Sequence, residues 1–181
     1  LETPRLEGVF ATNGWQSACT VTASNSCRPP TLSAGGQYFL PTDYWAGNQL
    51  IIPGRGSEEM LLATQANVPK PATGGPYPWV TASLTYFSCI PRQNAAGEGF
   101  LAIAADGTRY WFDWQSAYYE SSLKKGNGTL SRRRVILSAT RVEDRFGNWV
   151  TYTYTNASNG PARLASIQSS DSRVITVAYN A

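Results

Sequence analysis

Histidine is absent from the whole sequence. That removes Ser-His-Asp and Cys-His catalysis and every metal site that needs an imidazole. Cysteine is scarce: Cys19, Cys27 and Cys89 are too few for a zinc site built from cysteines alone. A Gly-rich phosphate loop is also missing, because Gly54-Arg55-Gly56 runs into Ser57-Glu58 with no lysine and no preceding strand. Charged residues make up only 15% of the chain, below the usual share of about a quarter. The net charge of +3 is small and scattered, which argues against a nucleic-acid partner. No apolar run is long enough to span a membrane. The chain opens at Leu1 without a methionine or signal peptide, which reads as a processed or excised fragment. Neither a cofactor nor a metal is expected.

What the chain has in quantity is strand-forming and turn-forming residues. Ten Tyr, six Trp and six Phe stand beside many Thr and Val, residues that suit a half-buried pleated surface. Sixteen Gly and eleven Pro supply frequent turns. A chain of this length buries roughly 70% of its unfolded surface, so it can fold without disulfides. The expected fold is all-β, with antiparallel hairpins forming a curved sheet or ribbon. Residues 1–98 read as a leader of loops and short strands, with Glu58 to Ala63 open to either a helical turn or a strand. Four prolines between Pro69 and Pro78 make that stretch a surface loop.

From residue 99 to residue 181 the sequence repeats. Taking Gly107, Gly147 and Ser172 as equivalent points, large apolar residues follow three, five and seven positions later: Tyr110, Phe112, Trp114; Val150, Tyr152, Tyr154; Ile175, Val177, Tyr179. Period two means strands with one face buried. Strands are expected near 99–105, 108–115, 134–143, 148–155, 162–168 and 173–179. The first two turns differ by one residue in this reading, Ala104-Ala105-Asp106-Gly107 against Glu143-Asp144-Arg145-Phe146-Gly147. Residues 115–133, with Gly126-Asn127-Gly128 between basic clusters, read as an exposed, mobile insertion.

The segment Arg141-Val142-Glu143-Asp144-Arg145-Phe146-Gly147-Asn148-Trp149-Val150-Thr151-Tyr152-Thr153-Tyr154 resembles a YD repeat of the Rhs type. Arg163-Leu164-Ala165-Ser166-Ile167 with the following Asp171 to Asn180 is similar. Gly99 to Asp113 resembles the stretch that leads into such repeats, and Gly47 to Gly54 does so more loosely. Two departures stand out: Thr155-Asn156 replaces the family's Tyr-Asp, and Ser172 occupies a glycine position, which favours a different turn there. The resemblance implies a ribbon of hairpins that spirals into a hollow shell. In bacterial Rhs proteins the shell encloses a toxin. It also implies secretion or surface display, further YD-repeat strands of the same protein or another copy as partners, and no catalytic role for these residues.

The remaining chemistry is thin. Ser121-Ser122-Leu123-Lys124 matches Ser-x-x-Lys by two residues without its companion motifs, so it reads as coincidence. A glycosidase pair such as Asp106 with Asp113 is weighed against turn chemistry, which is favoured. The basic cluster Lys124, Lys125, Arg132, Arg133 and Arg134 reads as a solvated loop, and Asn127 and Asn156 each begin a sequon. An oxidising compartment favours one disulfide, with Cys19–Cys27 and Cys19–Cys89 both open and three free thiols as the alternative. Trp111 and Trp149 fall out of phase with the buried positions, so both are expected on the opposite face, near Arg109 and Asp113. Two indoles beside polar groups are what a sugar ring stacks on, so a carbohydrate-binding β-module of the cell wall or surface is the second functional expectation. If the leader covers that face with Trp15, Tyr44 and Trp45, the indoles are core instead.

Overall fold

The first strand, β1 (Arg5–Ala11), alternates buried Leu6, Gly8 and Phe10 with half-exposed neighbours. It is part of a computed structural model that describes residues 2–12, 31–63, 69–94, 97–156 and 160–180. There follow β2 (Leu32–Ala34), β3 (Gln37–Phe39), the single-turn helix α1 (Pro41–Tyr44), β4 (Gln49–Ile52), β5 (Gly56–Glu59), β6 (Leu61–Leu62), β7 (Trp79–Val80) and β8 (Tyr86–Pro91). The repeat region supplies β9 (Glu98–Ile103), β10 (Arg109–Lys125), β11 (Gly128–Glu143), β12 (Trp149–Thr155), β13 (Arg163–Ser169) and β14 (Val174–Thr176). The all-β, antiparallel expectation holds, and each of the six expected strands is present.

The strands from β6 to β14 lie side by side in chain order. The second edge of β11 is shared: residues 141–143 pair with β12 and residues 132–138 pair with β1. From β1 the sheet continues to β4 and then to β5. Only Met60 separates β5 from β6, and its N–H donates to Asn48 O at 2.8 Å. The run 56–62 therefore pairs with β4 through its first half and with β7 through its second. This returns the sheet nearly onto itself. Inside lie Leu6, Phe10, Leu50, Met60, Trp79, Phe87, Phe100, Tyr110, Phe112, Val135 and Leu137. The leader thus completes the wall around the core that the repeats begin.

The three repeat turns share one geometry. Ala104 N–H bonds Thr108 O at 2.8 Å, Asp144 N–H bonds Asn148 O at 2.9 Å, and Ser169 N–H bonds Arg173 O at 3.0 Å. In each, the residue at the equivalent point also closes a bond three residues back, and its φ is positive: 85° at Gly107, 88° at Gly147 and 68° at Ser172. This is the type I turn with a left-handed closing residue that three-residue hairpin loops favour. Two expectations are corrected here. The turns are equal in length, and Ser172 does not change the turn but takes the left-handed conformation itself, with Ser169 Oγ bonded to the Asp171 carboxylate beside it.

Three and five residues after each turn point burial follows the expected phase and fades along the ribbon; seven residues after, Trp114, expected to be buried, is only half-buried beyond a bulge, while Tyr154 is buried. Tyr110 and Phe112 are buried, Val150 and Tyr152 are half-buried, and Ile175 is 57% exposed. Thr153 is exposed between half-buried Tyr152 and buried Tyr154, so the register of the second repeat is the expected one, whereas every residue of β14 is exposed. The fading has a simple cause. Strand β14 ends the sheet path, and its only partner among the described residues is β13.

Residues 115–133 are not a loop. They continue β10 and β11 as a two-stranded arm turned at Gly126-Asn127, with φ 55° at Gly126. Four of the five basic residues are used within the fold, while Lys124 is exposed as expected. Arg134 bonds Glu7 at 2.9 Å and Glu120 at 3.0 Å, Lys125 bonds Asp43 at 3.1 Å, Arg132 donates to Ser121 O at 2.7 Å, and Arg133 sits over the Tyr119 ring at 5.3 Å. The arm's Leu130 joins Ala11, Phe39 and Tyr44 in a second, smaller core.

Candidate functional site

The outer face of β10–β12 carries two cross-strand rows. One is Arg109, Glu143 and Trp149; the other is Trp111, Arg141 and Thr151. Trp111 and Trp149 do share the face opposite the core, and both are half-buried. The space between them is filled. The Arg141 guanidinium carbon lies 5.5 Å from the Trp111 ring centre and 5.1 Å from that of Trp149. Arg141 Nη2 donates to Glu143 at 2.7 Å, and the other Glu143 oxygen lies 3.6 Å from Arg109 Nη1. The arrangement is an indole–guanidinium–indole ladder oriented by one carboxylate. Sequence reasoning missed Arg141, although it stands on the same strand face as Glu143, two residues earlier. Tyr44 lies in the second core and Trp45 packs 6.2 Å from the Phe10 ring, so neither covers this face. Trp15 lies outside the described residues.

Asp113 is not on that surface. A β-bulge lies between Trp111 and Trp114, and it leaves both Phe112 and Asp113 buried. The Asp113 carboxylate accepts from Thr140 Oγ1 at 2.6 Å and from Gln93 Nε2 at 2.9 Å, and burial raises its pKa. The segment after β8 is tied down by this bulge. Gln93 N–H donates to Asp113 O, and the Asn94 side chain pairs with both backbone groups of Gln115. Asp106 sits in the first turn, accepting from Thr108 N–H at 2.9 Å. Four residues of strand separate Arg109 from Asp113, roughly 13 Å, so Asp106 and Asp113 are too far apart for a paired-carboxylate mechanism.

A second polar group is enclosed at the end of the core. Glu98 is fully buried, on the same face as Phe100 and the cross-strand Cys89. Burial pushes its carboxyl up to about 7, against the pull of the Cys89 thiol and the nearby Arg92. Burial, helped by Glu98, also raises the thiol, so Cys89 is held protonated and is a poor nucleophile. Cys89 is a free thiol, which corrects the expectation of a Cys19–Cys89 bridge; Cys19 and Cys27 lie outside the described residues. Among the described residues no acidic, Cys or His cluster could hold a metal ion, and no helix is long and apolar enough to cross a membrane. Compared with protein-family models, characterised proteins and solved structures, the chain matches none.

Proposed function

We propose that this chain is a non-catalytic wall segment of a secreted or surface-displayed Rhs-type protein, whose hairpin ribbon continues into a shell that encloses or presents a toxin. One observation carries the reading: three hairpins with the same turn end on an open edge, with the inner face increasingly uncovered. On that face Ile175 and Tyr179 are 57% and 53% exposed on and just beyond the last strand. An isolated edge of this kind invites another strand, and a further hairpin would bury these side chains. Light scattering of the chain across a concentration series should show reversible association. Ile175→Asp should raise the association midpoint tenfold or more, since a charge on the inner face opposes a second sheet layer. A strict monomer whose amides at 174–176 resist hydrogen exchange would overturn the reading.

A second reading, a carbohydrate-binding β-module, rests on the half-exposed Trp111 and Trp149. In it a sugar stacks on the outer rim of the ladder while Arg109 bonds its hydroxyls. Tryptophan fluorescence should then change with cell-wall oligosaccharide at up to millimolar concentration, and Trp111→Ala and Trp149→Ala should each weaken the response several-fold. A response that persists in both variants ends this reading.

A further inference from the structure

The outer face of β10–β12 and its turn end carry more positive than negative charge. Arg55, Arg109, Arg141 and Arg145 stand there against Asp106, Glu143 and Asp144. Each carboxylate is already engaged. Glu143 lies 2.7 Å from Arg141 and 3.6 Å from Arg109. Asp106 accepts from Thr108 N–H at 2.9 Å and lies 3.9 Å from Arg55. Asp144 closes its own turn, accepting from Phe146 N–H at 2.8 Å and from the Asn148 side chain at 2.7 Å.

The guanidinium groups are less fully matched. Glu143 takes its short contacts from Arg141, which leaves Arg109 exposed with one long contact. Arg145 is exposed in the turn from β11 to β12, stacks on the Phe146 ring at 4.7 Å and has no carboxylate partner among the described residues. Its Cβ lies 3.0 Å from where a Cβ on Gly107 would stand, beside the turn that leads into Arg109.

These two cations border an aromatic strip. Arg109, Glu143 and Trp149 form one cross-strand row, and Arg145 lies in the turn that joins Glu143 to Trp149. In the other direction the row continues through Ile103 to Tyr86. Tyr86 is buried, with the Tyr77 ring 6.1 Å away, and the Arg109 charge reaches the Tyr77 hydroxyl. The loop that carries Tyr77 therefore rises beside Arg109 as a raised border. A sugar ring lies well on an indole, and the planar fork of a guanidinium matches a carboxylate.

We propose that this face binds an acidic sugar, a uronic acid unit, with its ring on Trp149 and its carboxylate at Arg109 and Arg145. This rests on the carbohydrate-binding reading above and names the class of sugar that the surface selects. Trigalacturonate and its methyl ester are the probes, because they share their rings and differ in charge. Titrated into the complete chain at 50 mM salt and followed by tryptophan fluorescence, the acid should bind about tenfold more tightly than the ester. Raising the salt to 300 mM should weaken the acid several-fold and leave the ester unchanged. Arg109→Gln and Arg145→Gln should each weaken the acid two- to fivefold, the effect of one exposed ion pair, and leave the ester within twofold. Trp149→Ala should weaken both sugars. Far-UV circular dichroism identifies a Trp149→Ala chain that has failed to fold, and the two exposed arginines then decide. Ester bound as tightly as acid overturns the proposal and leaves the carbohydrate reading standing. No saturable response to either probe or to neutral cell-wall oligosaccharide overturns both. Full affinity for the acid in both arginine variants, or in a folded Trp149→Ala chain, also overturns the proposal.

Discussion

Raising the pH from 5 to 8 should lower the stability of the fold by on the order of 2–3 kcal/mol, and Glu98→Gln should remove most of that loss. The Glu98 carboxyl is lifted from 4.5 to about 7 by its burial among core residues. The folded state therefore holds a proton that the unfolded chain has already released. Below about pH 4.5 both states are protonated and the full stability is present; it is then lost as pH rises through the folded value near 7. Asp113, also raised by burial, acts with the same sign. The turn and cap carboxylates Asp43, Asp106, Asp144 and Asp171 act oppositely. Their pKa values are lowered, chiefly by hydrogen bonds from Leu40 N–H, Thr108 N–H, the Asn148 side chain and Arg173 respectively. What they add is present above the ordinary aspartate value of 3.8 and is lost on acidification. Stability should peak near pH 5. Urea midpoints at four pH values between 5 and 8 check this, and a wild-type chain as stable at pH 8 as at pH 5 would refute it. Gln keeps the shape and an acceptor but does not ionise, so its curve should lose most of this slope and retain the part due to Asp113.

The repeat hairpins were legible because each carries its own evidence: alternating apolar residues on both sides of a turn, with local partners. Tyr110 and Phe112 needed nothing else to be placed in the core. The near-closure of the sheet was not legible, because it depends on pairings between distant segments. Strand β1 meets β11 across more than half the chain, as the ion pair between Glu7 and Arg134 shows. The strands β4 to β7 are two to four residues long and broken by Pro and Gly, too short to show a period. The arm was misread for another reason. Lys125, Arg132 and Arg134 look like a solvated basic loop until their partners Asp43, Ser121 and Glu120 are brought opposite them by the fold. Of the outer-face site, the two indoles were found by parity. Arg141 was overlooked because an arginine on a strand face signals nothing until rings flank it on both sides. Asp113 was lost because a bulge adds a residue without a sequence mark, and counting by twos then fails.

That bulge gives the other large expected effect: Asp113→Ala should destabilise the chain by about 1–3 kcal/mol, by leaving the buried Thr140 hydroxyl without an acceptor. The Thr140 hydroxyl, at 2.6 Å, depends on this carboxylate, whereas the exposed Gln93 Nε2, at 2.9 Å from it, keeps Thr140 Oγ1 at 3.1 Å as a second acceptor. Thr140 is itself 7% exposed, so water does not easily replace the lost oxygen. Gly99 lies beneath the bulge, where a Cβ would come within 3.1 Å of Asp113 Cβ and 2.8 Å of Phe112 O. The strand there has no slack to close over a deleted side chain. Asp113→Asn retains one acceptor oxygen and should cost less, about 1 kcal/mol, because burial already opposes the charge that Asn removes. The loss should also be local before it is global. Gln93 and Asn94 tether the segment after β8 to β10, so amides at 92–94 and 113–115 should exchange faster in Asp113→Ala while those of the distant hairpin turn at 144–148 remain as in the wild type. Urea denaturation gives the magnitude and hydrogen exchange gives the place. An Asp113→Ala chain within about 0.5 kcal/mol of wild type, a difference typical of surface substitutions, would mean that the bulge is held by the backbone alone.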